Sequence, residues 1–259
     1  MRKKMRLTKK QKTIIWIALA AVILLLAGLL VFSGIRKKQN DKVMTAGDTV
    51  IDNTMFSYFF WSEVNSRYAE GSEQVGPNFD LTLDVQMYDD TTTWEEYLIG
   101  DITPGVQEQI ALYKAAQAEG FSMPAEYQQQ YDETLENFRL IASDMKYEDL
   151  DAYLVDTFGP NASEKTFQQY LQYAFTADAY ANELFQRTEP TQEQVLEYYE
   201  MWQAQYEDGD PGTAGSDLHK DEFYNSIERA KAENPVEVYE ENIVIAKPHG
   251  AHVQTGEEH

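Results

Sequence analysis

The sequence contains no cysteine. Disulfide bonds, thiolate catalysis and cysteine-ligated metals are therefore excluded. A lipoprotein anchor is excluded as well, because it requires a cysteine to acylate. Any fold must be held together by apolar packing and hydrogen bonds alone.

Residues that carry catalysis are also scarce. The four histidines, His219, His249, His252 and His259, all come late in the chain. No G-x-S-x-G, phosphate-binding loop or H-E-x-x-H motif occurs. His249 and His252 have a ligand-like spacing but lie in a tail without a scaffold. We therefore predict no metal, no cofactor and no catalytic residue.

Acidic residues are missing from the first 40 positions. That stretch holds ten of the 21 Lys and Arg residues, whereas all 44 Asp and Glu residues lie at or after Asp41. A part this acidic repels phosphate backbones, which excludes nucleic acid as a partner. It also keeps an exported domain soluble and favours basic or neutral partners.

One long apolar run is present. Residues 14–32 carry no charge, and the neutral stretch 13–35 is long enough to cross a hydrocarbon core of about 30 Å. Seven basic residues precede it and Arg36, Lys37 and Lys38 follow, so the N-terminus is expected in the cytoplasm and the main domain outside. The alternative is a cleaved signal peptide, whose apolar core is normally shorter and ends at an A-x-A-like site.

The remaining sequence predicts a mainly α protein with a small strand pair. The expected division is a basic cytoplasmic tail (1–12), a single transmembrane helix (13–35), a stalk (36–48), a multi-helix domain (49–206), a C-terminal helix and strand (207–246) and a loose tail (247–259). Residues 43–51 are expected to form strand structure around a Gly47-Asp48 turn. Apolar residues at helical spacing then predict successive amphipathic helices.

Capping and helix-breaking residues predict where these helices begin and end. Ser163 and Thr191 are predicted caps, and Gly120 is a predicted C-terminal stop. Ser122 is expected to cap the next helix. Pro104 is expected to interrupt or restart the helix that begins at Trp94. The segment 207–215 is expected to be a break, and 236–246 a strand.

An ordered set of short segments resembles the helical chaperone domain of SurA/PrsA-type foldases in their membrane-anchored Gram-positive form. The resemblance covers roughly residues 43–206. Its members are the strand-to-helix passage 50–60, Thr93-Trp94-Glu95-Glu96-Tyr97, Ala115-Ala116-Gln117-Ala118-Glu119-Gly120-Phe121-Ser122, Asp151-Ala152-Tyr153-Leu154, Phe158-Gly159, Ser163, Phe167, Tyr170-Leu171, Pro190-Thr191 and Tyr198-Tyr199.

The resemblance implies a holdase that binds unfolded exported polypeptides without ATP. In that family a parvulin-type prolyl isomerase domain usually follows, and residues 237–245 resemble its first strand. Asn242 stands where that strand usually carries a histidine, and only 14 residues follow Ile245. Isomerase activity is therefore expected to be absent. Alternatively, the segment could close the chaperone domain by pairing with residues 43–51.

Aromatic side chains are the expected means of binding, because semi-polar rings suit varied apolar segments. Because the chain has 17 tyrosines, most of its aromatic rings must nevertheless lie in the hydrophobic core. The candidate peptide-binding residues are Phe59, Tyr127, Tyr131, Phe138, Tyr170, Phe175, Tyr199 and Trp202. Three functions stay open: a holdase, a prolyl isomerase, and a scaffold that docks one dedicated envelope partner. The sequence is compatible with a homodimer but does not specify one.

Overall fold

A computed structural model describes residues 40–68, 83–202, 206 and 211–245. The predicted transmembrane segment 13–35 and the tails 1–12 and 247–259 lie outside the described residues. Within the described part, no helix has both the length and the apolar character needed to cross a bilayer.

The described residues form a mainly helical protein with one small antiparallel sheet. Its strands are β1 (Lys42–Ala46), β2 (Thr49–Asp52) and β3 (Glu237–Val238). The helices are α1 (Asn53–Tyr68), α2 (Trp94–Ala118), α3 (Ala125–Asp144), α4 (Leu150–Phe158), α5 (Glu164–Arg187), α6 (Gln192–Trp202) and α7 (Pro211–Glu233). A 3₁₀ turn at Glu240–Asn242 follows β3.

The sheet has the order β2-β1-β3, so the predicted strand pair is in fact three strands. Gly47 makes the β1–β2 turn at a φ of 60°, a conformation that glycine adopts without steric cost. β3 is much shorter than the predicted strand 236–246. It pairs with β1 through Thr45↔Glu237 and Met44↔Val238. The C-terminal segment thus closes the same sheet that opens the described chain.

Two asparagines hold this closing segment. Asn53 Nδ2 donates to the Asn242 carbonyl at 2.8 Å, and Asn53 Oδ1 accepts from the Val244 N–H at 2.8 Å. Asn242 Nδ2 in turn donates to the Lys42 carbonyl at 2.9 Å. Asn242 therefore has a structural role, because it connects the start of β1 to the C-terminal segment.

Helix α1 is the centre of the fold. Every residue from Asn53 to Trp61 is buried, including Phe56, Tyr58 and Phe59. The expectation of one apolar face was therefore too narrow, because a helix covered on all sides buries its whole circumference. Its polar residues are satisfied locally: Asp52 Oδ1 caps the helix at the Met55 N–H (2.9 Å), and Ser57 Oγ donates to the Asn53 carbonyl (2.7 Å).

Helix α2 begins at Trp94 as predicted, and a capping box between Thr93 and Glu96 marks its start. The expected interruption at Pro104 is wrong, since α2 runs unbroken from Trp94 to Ala118 with Pro104 inside it. Pro104 is exposed, so its ring faces solvent while Ile102, Val106 and the following apolar residues stay packed. Burial of that stripe outweighs the local cost of a proline.

Two further boundaries differ from expectation. Helix α3 starts at Ala125 with Pro124 as its N-cap, rather than with Ser122 as the cap. Helix α7 starts at Pro211, inside the predicted break, because proline is well suited to the first helical position. Gly215 then allows α6 to approach: a Cβ there would lie 3.2 Å from both Val195 methyl carbons.

The core forms two clusters. The larger surrounds α1, while the smaller joins α2, α5 and α7 through small residues such as Ala115, Ala116 and Ala177. Ala177 of α5 lies in this smaller cluster, where its small side chain lets a neighbouring helix pack closely. The larger cluster is incompletely covered where α3 meets α5, and this gap is the candidate site.

Candidate functional site: an apolar cleft between α3 and α5

An open cleft of about 340 Å³ lies between α3 and α5, with α1 and α2 beneath it. Phenyl, tyrosyl and aliphatic groups form most of its surface. The lining residues are Ser62, Gln109, Thr134, Phe138, Phe167, Tyr170, Leu171, Ala174, Phe175 and Asp178.

One face of α5 supplies six of these residues. Positions 167, 170, 171, 174, 175 and 178 recur by three and four, so they line a continuous stripe along the helix. The stripe spans about 17 Å of helix axis. That length corresponds to about five residues of extended polypeptide.

The floor of the cleft is tied to the core. The Tyr170 hydroxyl donates to Ser62 Oγ at 3.0 Å, and the Tyr170 ring makes an edge contact with Phe59, centroid to centroid 4.9 Å. At the other end, Phe138 packs on Phe167 with ring centroids 4.5 Å apart. These rings are positioned before any ligand arrives, which lowers the ordering cost of binding.

The α3 wall is only half covered. Tyr131 contacts Phe175 edge to face at 6.2 Å, and its hydroxyl donates to the Gln168 carbonyl at 3.4 Å. Of the apolar stripe expected on α3, only Leu135 and Ala142 are buried, whereas Tyr127, Tyr131 and Phe138 remain partly exposed. Aromatic surface is therefore accessible from solvent here.

Besides Ser62, three polar side chains lie among the apolar residues of the lining. Gln109 Oε1 is buried and has no hydrogen-bond partner among the described residues. Asp178 lies exposed at the rim, where the apolar wall partly desolvates its carboxylate and raises its pKa. Thr134 Oγ1 donates to the Gln130 carbonyl at 2.8 Å, leaving its lone pairs free to accept.

The eight predicted binding residues do not form one surface. Phe138, Tyr170 and Phe175 line the cleft, and Tyr131 contacts it through Phe175. Phe59 is wrong as a contact residue, because it is only 2% exposed and lies beneath Tyr170.

The other three predicted residues lie elsewhere. Tyr127 is further towards the start of α3, and Tyr199 and Trp202 are on α6, which packs against α7. None of the three lines the cleft.

Sequence reasoning missed Gln109 and Asp178. Both carry a recognisable signal: each is a polar residue at a position where the helical spacing continues an apolar stripe. Gln109 precedes Ile110 on the packed side of α2, and Asp178 is the next member of the α5 series after Phe175.

A second hollow, about 510 Å³, lies beside Asn40 at the start of α5. Its polar groups already have partners: Asp151 accepts from the Glu164 N–H at 2.6 Å, and Asn161 donates to Asn40 at 3.3 Å. It therefore offers less to a ligand than the α3–α5 cleft. Nowhere in the described residues do three acidic or histidine side chains lie close enough to hold a metal ion.

Comparison of the chain with protein-family models, with curated proteins and with solved structures finds no match.

Proposed function

We propose that this protein is a membrane-anchored, extracytoplasmic holdase of the SurA/PrsA type, which binds unfolded exported polypeptides without ATP. The observation that carries this proposal is the open aromatic cleft between α3 and α5. Phe138, Tyr170 and Phe175 present accessible ring surface there on a rigid floor.

The shape of the cleft suits side chains of an unfolded polypeptide better than a compact metabolite. It is long, open along its length and lined mostly by hydrocarbon, with few polar groups to orient a small molecule. Aromatic walls accept many apolar side chains at modest affinity, as a binder of varied clients requires.

Charge and tethering complete the proposal. The chain after residue 40 carries 44 acidic and 11 basic residues, so copies repel one another while they hold apolar clients. Residues 13–35 would anchor the protein with its main domain outside. That placement raises the local concentration of clefts near emerging chains.

The direct test is aggregation of a denatured substrate in the presence of the full chain in nanodiscs, with empty nanodiscs as the blank. We expect suppression at near-stoichiometric ratios without nucleotide. Continued aggregation at severalfold excess of the protein would contradict the proposal.

A cleft-filling variant connects the activity to this site. Ala174→Phe places a ring in the middle of the cleft, and Ala118→Phe adds the same group at the exposed end of α2. We expect client affinity to fall about tenfold in the first variant, as for loss of one well-packed aromatic contact. The second should behave like the parent protein.

Two assays on the same preparation separate the alternatives. We propose that the protein is not a prolyl isomerase, so a proline-peptide cis/trans assay should show no acceleration. A pull-down that yields one stoichiometric envelope protein, together with no affinity for unfolded chains, would favour the scaffold function instead. Protease accessibility in intact cells tests the outward orientation of the domain.

A further inference from the structure

We infer that the α3–α5 cleft selects apolar polypeptide segments that carry a lysine or arginine next to the apolar residue, with Asp178 receiving the cation. This inference rests on the proposed holdase function and specifies the clients of the same site.

Asp178 differs from the many other unpaired carboxylates of this acidic chain because it lines the apolar cleft. Other carboxylates near cations are paired, as in Lys114–Asp48, Arg187–Glu119 and the contacts of Arg139 with Glu164. Among the residues that the structure describes, Asp178 has no ion pair and no hydrogen bond of its own. It is available to a cation brought by a ligand.

The surroundings of Asp178 strengthen such a pair. Partial burial beside the apolar wall of α5 raises the pKa of the Asp178 carboxylate. The pKa of Tyr127 is raised by its own burial and further by the charge of Asp178, so the two side chains are close enough to interact. Removing water from a carboxylate disfavours its charged form unless an opposite charge is supplied. A partly desolvated site also screens an ion pair less than open solvent does.

Two further groups of the cleft can accept a hydrogen bond. Gln109 Oε1 is a buried acceptor that has no partner among the described residues, and the Thr134 hydroxyl has already used its proton on the Gln130 carbonyl. A ligand satisfies these acceptors with donors, which peptide N–H groups and an ammonium or guanidinium supply. An acidic side chain brings only acceptors and would leave these groups unpaired.

The arrangement along α5 sets the spacing of the recognised motif. Phe175 and Asp178 are one helical turn apart, so the apolar pocket and the carboxylate are about 5 Å apart along the axis. An apolar side chain seated against Phe175 therefore places a basic residue within about two positions at Asp178.

The test uses three unstructured fluorescent peptides with identical apolar residues, flanked by Lys, Gln or Glu. Fluorescence anisotropy measures their binding to the full chain in zwitterionic nanodiscs, which do not attract the cationic peptide. We expect affinity to fall in the order Lys, Gln, Glu. Asp178→Asn should reduce the Lys-over-Gln preference about threefold, the factor expected of a solvent-accessible ion pair. The Gln peptide should bind as before.

Asp144→Asn is the matched control, because it removes one exposed negative charge near the opposite end of α3. It should retain the preference for the Lys peptide. An equal loss of preference in both variants would overturn the assignment to Asp178 and attribute selectivity to the overall acidic charge. Equal binding of all three peptides would overturn the inference but leave the holdase function standing. Failure of every peptide to bind would overturn both.

Discussion

Tyr170 and Ser62 are joined by a 3.0 Å hydrogen bond in which the phenol donates across the floor of the cleft. The bond connects α5 to α1, two helices that are more than 90 residues apart in the chain. It holds the Tyr170 ring flat against Phe167 and Tyr58 and at right angles to Phe59. The surface of the cleft is thereby built directly on the central helix.

Removing this hydroxyl should affect stability and leave binding nearly unchanged. Tyr170→Phe loses one hydrogen bond and keeps the ring, so we expect the free energy of unfolding to fall by about 1 kcal/mol. Tyr170→Ala removes the floor itself and should cost about 3–5 kcal/mol. Urea denaturation followed by tryptophan fluorescence measures both. A larger loss of client affinity in Tyr170→Phe than in Tyr170→Ala would contradict the assignment of the ring as the contact.

Gln109 is expected to lower the free energy of unfolding while contributing to peptide binding. Gln109→Met keeps the side-chain length but removes the buried acceptor that has no partner among the described residues. We expect the free energy of unfolding to rise by about 1–2 kcal/mol, because an unsatisfied group is no longer buried. Peptide affinity should fall, since the cleft loses an acceptor for ligand N–H groups. Unchanged stability would show that Gln109 is satisfied in solution.

Asn53 is expected to secure the C-terminal segment. Asn53→Ala removes the bonds to the Asn242 carbonyl and the Val244 N–H from a site that is 0% exposed. We expect a loss of about 2–3 kcal/mol in the free energy of unfolding. Hydrogen exchange should accelerate first at the Val244 amide.

Asn65→Ala is the control for this experiment, since Asn65 is an exposed residue of the same helix. It should leave both stability and exchange unchanged. Unaltered exchange at Val244 in Asn53→Ala would show that the sheet alone holds this segment.

Alkaline pH should destabilise the domain, and Tyr58 should contribute to that loss of stability. Burial raises the pKa of Tyr58 from 10.0 to about 12, even though its hydroxyl bonds Thr166 Oγ1 at 2.8 Å and accepts from the Ser163 N–H at 3.1 Å. A folded-state pKa above the unfolded value contributes stability that is fully present below pH 10. That contribution, on the order of 2 kcal/mol, is lost as the pH rises from 10 to 12.

Tyr58→Phe should therefore flatten the decline in stability over this pH range, at the expense of lower stability at neutral pH. Tyr224→Phe is the control, because Tyr224 is 55% exposed. Urea midpoints measured at intervals from pH 8 to pH 12 supply the comparison. An equally steep decline in Tyr58→Phe would assign the alkaline transition to other groups.

Much of the helical structure could be read from the sequence because the signals are local. Ser163 caps α5 through Thr166, and Thr191 bonds the Gln194 N–H three residues on (3.4 Å), both within one turn. Gly120 ends α2 with a φ of 67°. The predicted interruption at Pro104 and the predicted break at the start of α7 were wrong. Packing of whole helices overrode a local preference at both places.

The cleft was predicted only in part. Phe138, Tyr170 and Phe175 could be proposed from their positions in amphipathic stripes. Nothing in those stripes distinguishes Phe59, which α5 seals against the core, from Phe138, which stays partly open. Gln109 and Asp178 are polar residues that continue such stripes, but only the placement of the helices brings both to one cleft.

The sequence by itself determined the acidic character of the domain, most of its helices with the caps at Ser163 and Thr191, and the apolar run 13–35, because each depends on composition or on residues a few positions apart. Only the tertiary structure decided which aromatic surface remains uncovered. Ser62, Gln109, Phe138 and Asp178 come from four different helices, and they share one cleft because close packing around α1 leaves a gap between α3 and α5. Such a gap is a property of how the helices fit together, which no single segment encodes.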